Sequence, residues 1–258
     1  MKVKDIIGVI EDFAPVSLQE KWDNSGLCVG SPEDEVTGVL LGLDCTPELV
    51  DEAIACGADM IVTHHPLIFS GLKKISADDL VGAAVIKAVK AGISIYAAHT
   101  SADKVLAGVS GAMAARLGLK DVRILDEDGE GTGLGVVGDL PEPLTAGQAV
   151  ELVKERFSLK VLKASRPVQG EVTRVAMCGG SGGSLIGAAK AAGAQLYMSG
   201  DISYHNFFTP EGFMIMDIGH YESEIEIVDI LFSLIRKKFP NFAVRITQNM
   251  QSNPIYYY

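Results

Sequence analysis

Apolar positions along the chain recur in two periods, and the order of those periods predicts the architecture. Val3, Ile6, Ile7, Ile10 and Phe13 fall at helical spacing and Pro15 ends the run, so the chain opens on an amphipathic helix. The turn-rich segment WDNSGLCVG follows, and then the apolar run VLLGL leads through a polar turn into a helix. Thr46 supplies the N-cap hydroxyl of that helix, Pro47 its first position, and Gly57 its stop. A second apolar run, MIVTHH, completes a β-α-β unit. Helical periodicity over residues 78–90, a strand in GISIYAA and a helix over roughly 104–117 come next. Residues 124–172 carry their own signals: GTGLGVVGDL reads as a strand, and Thr145 with Gln148 forms a capping box ahead of Ala149, Leu152, Val153 and Phe157. The chain closes on a helix over 224–238, with Ile225, Val228, Leu231 and Ile235 on one face, a strand near 242–247 and the apolar tail NPIYYY.

The β-α-β pattern occurs twice. Residues 39–65 align without a gap on 175–201 at an offset of 136, which places Val39 on Val175, Leu49 on Leu185, Gly57 on Gly193 and Thr63 on Ser199. Beyond that point the offset shortens to 121, and His99 falls on His220 and Asp103 on Glu224. The expected fold is therefore α/β: two similar α/β lobes related by an internal repeat, with a metal site in the cleft between them. The expected boundaries are a first lobe over 1–123, a connector with strand and helix over 124–172, and a second lobe over 173–258.

Composition narrows the class. The chain has 258 residues, 48% of them hydrophobic and 21% charged, ordinary for a soluble α/β protein. No apolar run approaches the roughly 18 residues needed to span a bilayer, and the acidic N-terminus lacks a signal-peptide pattern, so the expectation is cytoplasmic. Cys28, Cys45, Cys56 and Cys178 form no C-x-x-C pair and read as reduced thiols. A net charge of −11 opposes a phosphate backbone and disfavours nucleic-acid binding.

Every histidine lies at or just beyond the equivalent ends of the two copies. THHP puts His64 and His65 at the carboxyl end of a strand, where open α/β sheets bind ligands, and Pro66 keeps His65 extended so that the two rings aim differently. A lone His-His pair also fits histidines that are merely hydrogen-bonded. HTSAD and GHYESE each add a carboxylate four residues after a histidine, and imidazole with carboxylate suits divalent transition metals. The summed set has donors enough for two ions. In DISYH, Asp201 and His205 fit an orienting carboxylate and a general acid, or equally a capping Asp and a structural His. GGSGGS (179–184) lacks the Lys-Ser/Thr of a P-loop and reads as a glycine-rich turn. Lys73, Lys74 and Lys104 flank the proposed site and fit anion contacts or solvated surface; Asp23-Asn24 before Gly26 reads most simply as a turn, or as a segment that approaches the site.

WDNSGLCVG, GLDCTPELVDEA, ADMIVTHHPLIF, IYAAHTSAD, VAMCGGSGGS, SGDISYH, GHYESE and NPIYYY, in this order over residues 20–258, resemble the Nif-three-like family, whose bacterial members are often labelled GTP cyclohydrolase 1 type 2 homologues. The resemblance implies paired α/β lobes, a homohexameric ring and a dinuclear centre holding two divalent ions per chain, with Zn, Mn, Fe or Ni all compatible. It implies His64, His65, Asp103, His220 and Glu224 as ligands, and places His99 at a motif position near the site, where it and His205 are the candidate catalytic residues. Ser101-Ala102 replaces the usual Asn-Leu, and Ser199 the usual Thr. The implied function is a metal-dependent hydrolase acting on GTP, another nucleotide or a small phosphoester. A metal-binding regulatory protein without catalysis, or a metal-handling protein, fits the same ligands.

Overall fold

The computed structural model describes residues 1–248 and 253–256. In chain order the elements are α1 (Val3–Phe13), β1 (Gly26–Val29), β2 (Gly38–Gly42), α2 (Pro47–Cys56), β3 (Met60–Thr63), α3 (Leu80–Ala91), β4 (Ser94–Ala97), α4 (Thr100–Asp103), α5 (Val109–Leu117), β5 (Lys120–Gly129), β6 (Thr132–Thr145), α6 (Ala146–Arg156), β7 (Lys163–Ala164), β8 (Glu171–Ser181), α7 (Ile186–Ala191), β9 (Leu196–Gly200), β10 (Met214–Asp217), α8 (His220–Glu224), α9 (Glu226–Lys238) and β11 (Ala243–Ile246).

The chain divides into two units, one made of residues 1–102 with 227–258 and the other of 103–226. In the first unit the sheet order is β1-β4-β3-β2-β11. Strands β2, β3 and β4 are parallel and wholly buried, which is why they read as continuous apolar runs. Between them, α2 starts as its sequence requires: the Thr46 hydroxyl accepts from the Leu49 amide at 3.3 Å, Pro47 follows, and Gly57 closes the helix at φ 72. Leu40, Val50, Ala53, Ile61, Ala84, Ala88 and Ile95 form the core on that face.

The second unit carries the sheet β5-β6-β8-β9-β10-β7. Successive side chains of its central strands enter opposite cores, Val175 and Met177 on one face and Ala176 and Cys178 on the other, so both faces are covered. The Thr145–Gln148 capping box forms as read.

The repeat survives at the level of register. Val39 pairs with Met60 and Val175 with Leu196, the same alignment 136 residues apart. Thr63 pairs with Ala97 and Ser199 with Asp217, so the third strands are related by 120 residues rather than 121. The additional residue is Gly219, at φ 94, inserted just before His220.

Boundaries drawn from the repeat at 123 and 172 differ from the division the contacts make. The segment from Ile227, read as part of a second lobe, belongs to the first unit because β11 adds parallel to β2 and Glu52 accepts from the Thr247 hydroxyl and the Gln248 amide. The 124–172 connector is no separate body, because β6 pairs with β8. Neither pairing leaves a local periodic signal. The helix expected over roughly 104–117 is α5, which starts at Val109, and the one over 224–238 is α9, which starts at Glu226; the short helices α4 and α8 precede them and carry the carboxylates of the His-x-x-x-carboxylate segments. Within the NPIYYY tail, Ile255 and Tyr256 are exposed, while Tyr257 and Tyr258 lie outside the described residues. Among the described residues no helix is long and apolar enough to cross a membrane.

Candidate metal centre

In the first unit, three strand ends deliver the chemistry. Asp44 follows β2, His64 and His65 follow β3, and His99 follows β4. The His65 amide donates to the Leu43 carbonyl at 3.0 Å, and the Ala98 amide to the Thr63 carbonyl at 2.9 Å, so the segments beyond the strands stay tied together. The ligand atoms of His64, His65 and His99 lie within 4.8 Å of one another. His64 is fully buried. The His64 and His65 rings are tilted by 44° with centroids 5.0 Å apart, the divergence that alternation before Pro66 predicts.

Each of these imidazoles is held by its Nδ1. His64 Nδ1 lies 2.8 Å from the Ala98 carbonyl, His65 Nδ1 2.7 Å from Asp44 Oδ1, and His99 Nδ1 2.7 Å from Asp23 Oδ1. Carbonyl and carboxylate oxygens only accept, so Nδ1 carries the proton and Nε2 presents the lone pair. That arrangement fixes a metal-ligating histidine by its distal nitrogen. Asp23 does more than orient His99, since it also accepts from the Ser25 hydroxyl at 2.8 Å, the Thr100 amide at 3.0 Å and the Thr100 hydroxyl. Burial alone would raise the Asp23 carboxyl, but the hydrogen bonds from His99, Thr100 and Ser25 and the charge of His99 hold it well below the usual carboxylate range. Trp22 and Phe69, both more than half exposed, stand edge-on to His99 at 6.1 Å each.

In the second unit, α8 supplies both remaining donors. His220 Nδ1 lies 2.8 Å from Asp201 Oδ2, and His220 Nε2 lies 3.0 Å from Glu224 Oε2. With the proton on Nδ1, Nε2 and Oε2 both offer lone pairs across 3.0 Å, which a second proton or a shared divalent cation would join. Paired imidazole nitrogen and carboxylate oxygen are donors of the kind that divalent transition ions take. The donor set therefore fits a divalent ion. Asp103, at the end of α4, presents a carboxylate oxygen within 4.8 Å of one of Glu224. Burial pushes the Cys178 thiol up, and the charges of Asp103 and Glu224 push it further.

The glycine-rich turn serves these donors rather than a phosphate. A Cβ on Gly180, which sits at φ 59, would meet Glu224 Oε1 at 2.1 Å and His220 Cε1 at 3.3 Å. The Gly180 amide donates to the Ser223 hydroxyl and the Gly182 amide to that of Ser199, both at 2.9 Å, so these N–H groups are already engaged. His205 lies on an exposed 3-10 turn with its ring 5.3 Å from Tyr204. Lys73 and Lys74 are exposed, and Lys104 is buried and paired with Asp128. Asp44, Gly180 and the Ala98 carbonyl have no role assigned from the sequence, and Asp23, legible there as a turn that could approach the site, does approach it. For Asp44 the available signal was its place after β2, since carboxyl ends of strands gather ligands.

The Duf34/NIF3 (NGG1p interacting factor 3) family profile matches residues 1–254. The GTP cyclohydrolase 1 type 2 homolog of Clostridium perfringens is 36% identical over 259 residues, covering 98% of each chain. The protein of the same name from Clostridium acetobutylicum is 34% identical and covers 96% of each. Among solved structures, a Bacillus cereus protein related to NIF3 superposes with a TM-score of 0.92 at 26% identity, over 100% of this chain and 99% of that one.

Proposed function

The chain belongs to the Duf34/NIF3 family, and from that premise we propose that it is a dinuclear metal-dependent hydrolase acting on a nucleotide or a small phosphoester. The ligand set is His64, His65, Asp103, His220 and Glu224, holding two divalent ions per chain, with Zn, Mn, Fe or Ni compatible with mixed nitrogen and oxygen donors. The observation that carries this reading is that four imidazoles, His64, His65, His99 and His220, each bind an acceptor through Nδ1 and so present Nε2 as a donor. Divalent ions in such a set supply Lewis-acid and water-activating chemistry.

The chain's own residues do the rest. Asp44, Asp23 and Asp201 fix the tautomer and the aim of His65, His99 and His220. His99 stands beside His64 and His65 as a donor or a proton carrier, and His205 is the candidate acid for the leaving group. Relatives carry the name GTP cyclohydrolase 1 type 2 homolog, which makes a guanine nucleotide, opened at its C8 carbon with release of formate, the first substrate to test. We propose further that the protein works in the cytoplasm as a homohexameric ring.

A metal-binding regulatory role is the second reading, favoured by the exposed aromatic pair Tyr204 and Phe208, with ring centroids 5.5 Å apart. One experiment separates the two: elemental analysis of the purified chain, with turnover of guanine nucleotides and simple phosphoesters before and after chelation. The hydrolase reading expects metal content near two ions per chain and activity that chelation and His64→Ala both abolish. Metal without turnover leaves the regulatory reading, and no metal with no uptake on titration rejects both.

A further inference from the structure

Asp217 ends β10 with its side chain buried, and it coordinates two turns at once. Its Oδ1 accepts from the Gly219 amide at 3.1 Å and its Oδ2 from the Ile202 amide at 3.2 Å. Gly219 immediately precedes His220, and Ile202 immediately follows Asp201. The two residues that form the 2.8 Å His220–Asp201 hydrogen bond are thus each one position from a backbone amide held by the same carboxylate. Lys163 reaches Asp217 Oδ2 at 2.6 Å from a largely exposed position.

Both turns depend on being held. Asp201 sits at φ 49, a left-handed conformation uncommon for a residue with a side chain, and Gly219 sits at φ 94. Their backbones pass so closely that a Cβ on Gly200 would meet the His220 amide nitrogen at 2.8 Å. The first unit has Ala97 where Asp217 stands, by strand register, and there Asp23 combines both tasks: it orients His99 and accepts from the Thr100 amide. In the second unit the tasks are divided, Asp201 orienting the ring and Asp217 holding the backbone on either side. We infer that Asp217 is the positioning residue that sets the Asp201–His220 pair, and through it the aim of His220 Nε2.

The test reads the His220 ring directly. In metal-free protein with 15N-labelled histidine, at about pH 8 where an ordinary imidazole is neutral, long-range proton–nitrogen spectra report which ring nitrogen carries the proton. The wild type should show His220 with Nδ1 protonated toward Asp201. In Asp217→Asn one of the two amides faces an amide group instead of an oxygen, so His220 should shift toward a mixture of tautomers, while His65 and His99 stay as they are. Zinc affinity should fall about 10- to 100-fold, the usual effect of disturbing a residue that orients a ligand. Lys163→Met removes the exposed ammonium but neither backbone amide that Asp217 holds, and should leave the His220 tautomer and zinc affinity unchanged. An unchanged His220 tautomer in Asp217→Asn overturns the inference, as does an equal change in Lys163→Met. Should Asp217→Asn not fold, wild-type hydrogen exchange decides: Ile202 and Gly219 amides protected like those of β9 and β10 support the assignment, and exchange at loop rates refutes it. The inference rests on the metal reading for its affinity readout alone. A wild type that binds no zinc, together with a tautomer shift in Asp217→Asn, would reject the metal and keep the positioning role.

Discussion

His65 Nδ1 lies 2.7 Å from Asp44 Oδ1, a side-chain link between the ends of β3 and β2 beside the backbone bond from His65 to Leu43. Asp44 is partly exposed and its carboxylate holds the His65 ring, so its contribution lies in the site rather than in the core. Asp44→Asn should therefore weaken zinc binding about 10- to 100-fold while leaving the unfolding midpoint nearly unchanged. Calorimetric titration beside thermal unfolding checks both halves, and wild-type affinity in the variant would remove Asp44 from the site.

Two glycines at nearly the same backbone angle should respond differently to alanine. Gly57 at φ 72 and Gly180 at φ 59 both pay the left-handed penalty, about 1–2 kcal/mol for a residue with a Cβ. Around Gly57 a Cβ meets nothing within 4 Å, whereas at Gly180 it meets Glu224 Oε1 at 2.1 Å. Gly57→Ala should lose stability and keep its metal affinity; Gly180→Ala should lose both. Equal metal affinities in the two variants would show that Glu224 is indifferent to the turn.

Trp22 is the single tryptophan of the chain and stands 6.1 Å from the His99 ring, so its fluorescence reports on the histidine cluster without labelling. Cobalt(II), which quenches at short range, should dim the emission on titration, and zinc should displace it and restore the signal. His64→Ala should remove the response. Cobalt uptake seen by calorimetry with no change in emission would place the ion elsewhere.

Acid should release the stability that Asp23 contributes. Its carboxyl titrates lower in the folded chain than in the unfolded one, so its contribution is complete above the ordinary carboxylate pKa and is lost as pH falls below about 4. Denaturant unfolding of wild type and Asp23→Asn should show a gap at neutral pH that narrows toward pH 3. A gap of constant size across that range would mean that the Asp23 hydrogen bonds do not depend on its charge.

Tyr197 shows where sequence reading stops even inside a correctly read strand. Its position in β9 was legible as apolar, but its hydroxyl donates to the Gly182 carbonyl at 2.6 Å and so helps shape the turn that carries Gly180. Local and periodic forces alone fix the helix starts at Thr46 and Thr145, the stop at Gly57, the two parallel β-α-β units with matching register, and the histidines at strand ends. These are legible because capping, burial and alternation act over a few residues, and because an internal repeat prints the same solution twice. Folding in three dimensions is what pairs β11 with β2 and β6 with β8, and what sets Asp44, Asp23 and Asp201 each against one imidazole. Those pairings bring together residues far apart along the chain, Asp23 and His99 lying 76 apart, and they depend on which strand ends the sheet order makes neighbours. A lone aspartate in a turn carries no mark of the histidine it will meet, so its role exists only once the backbone between them has folded.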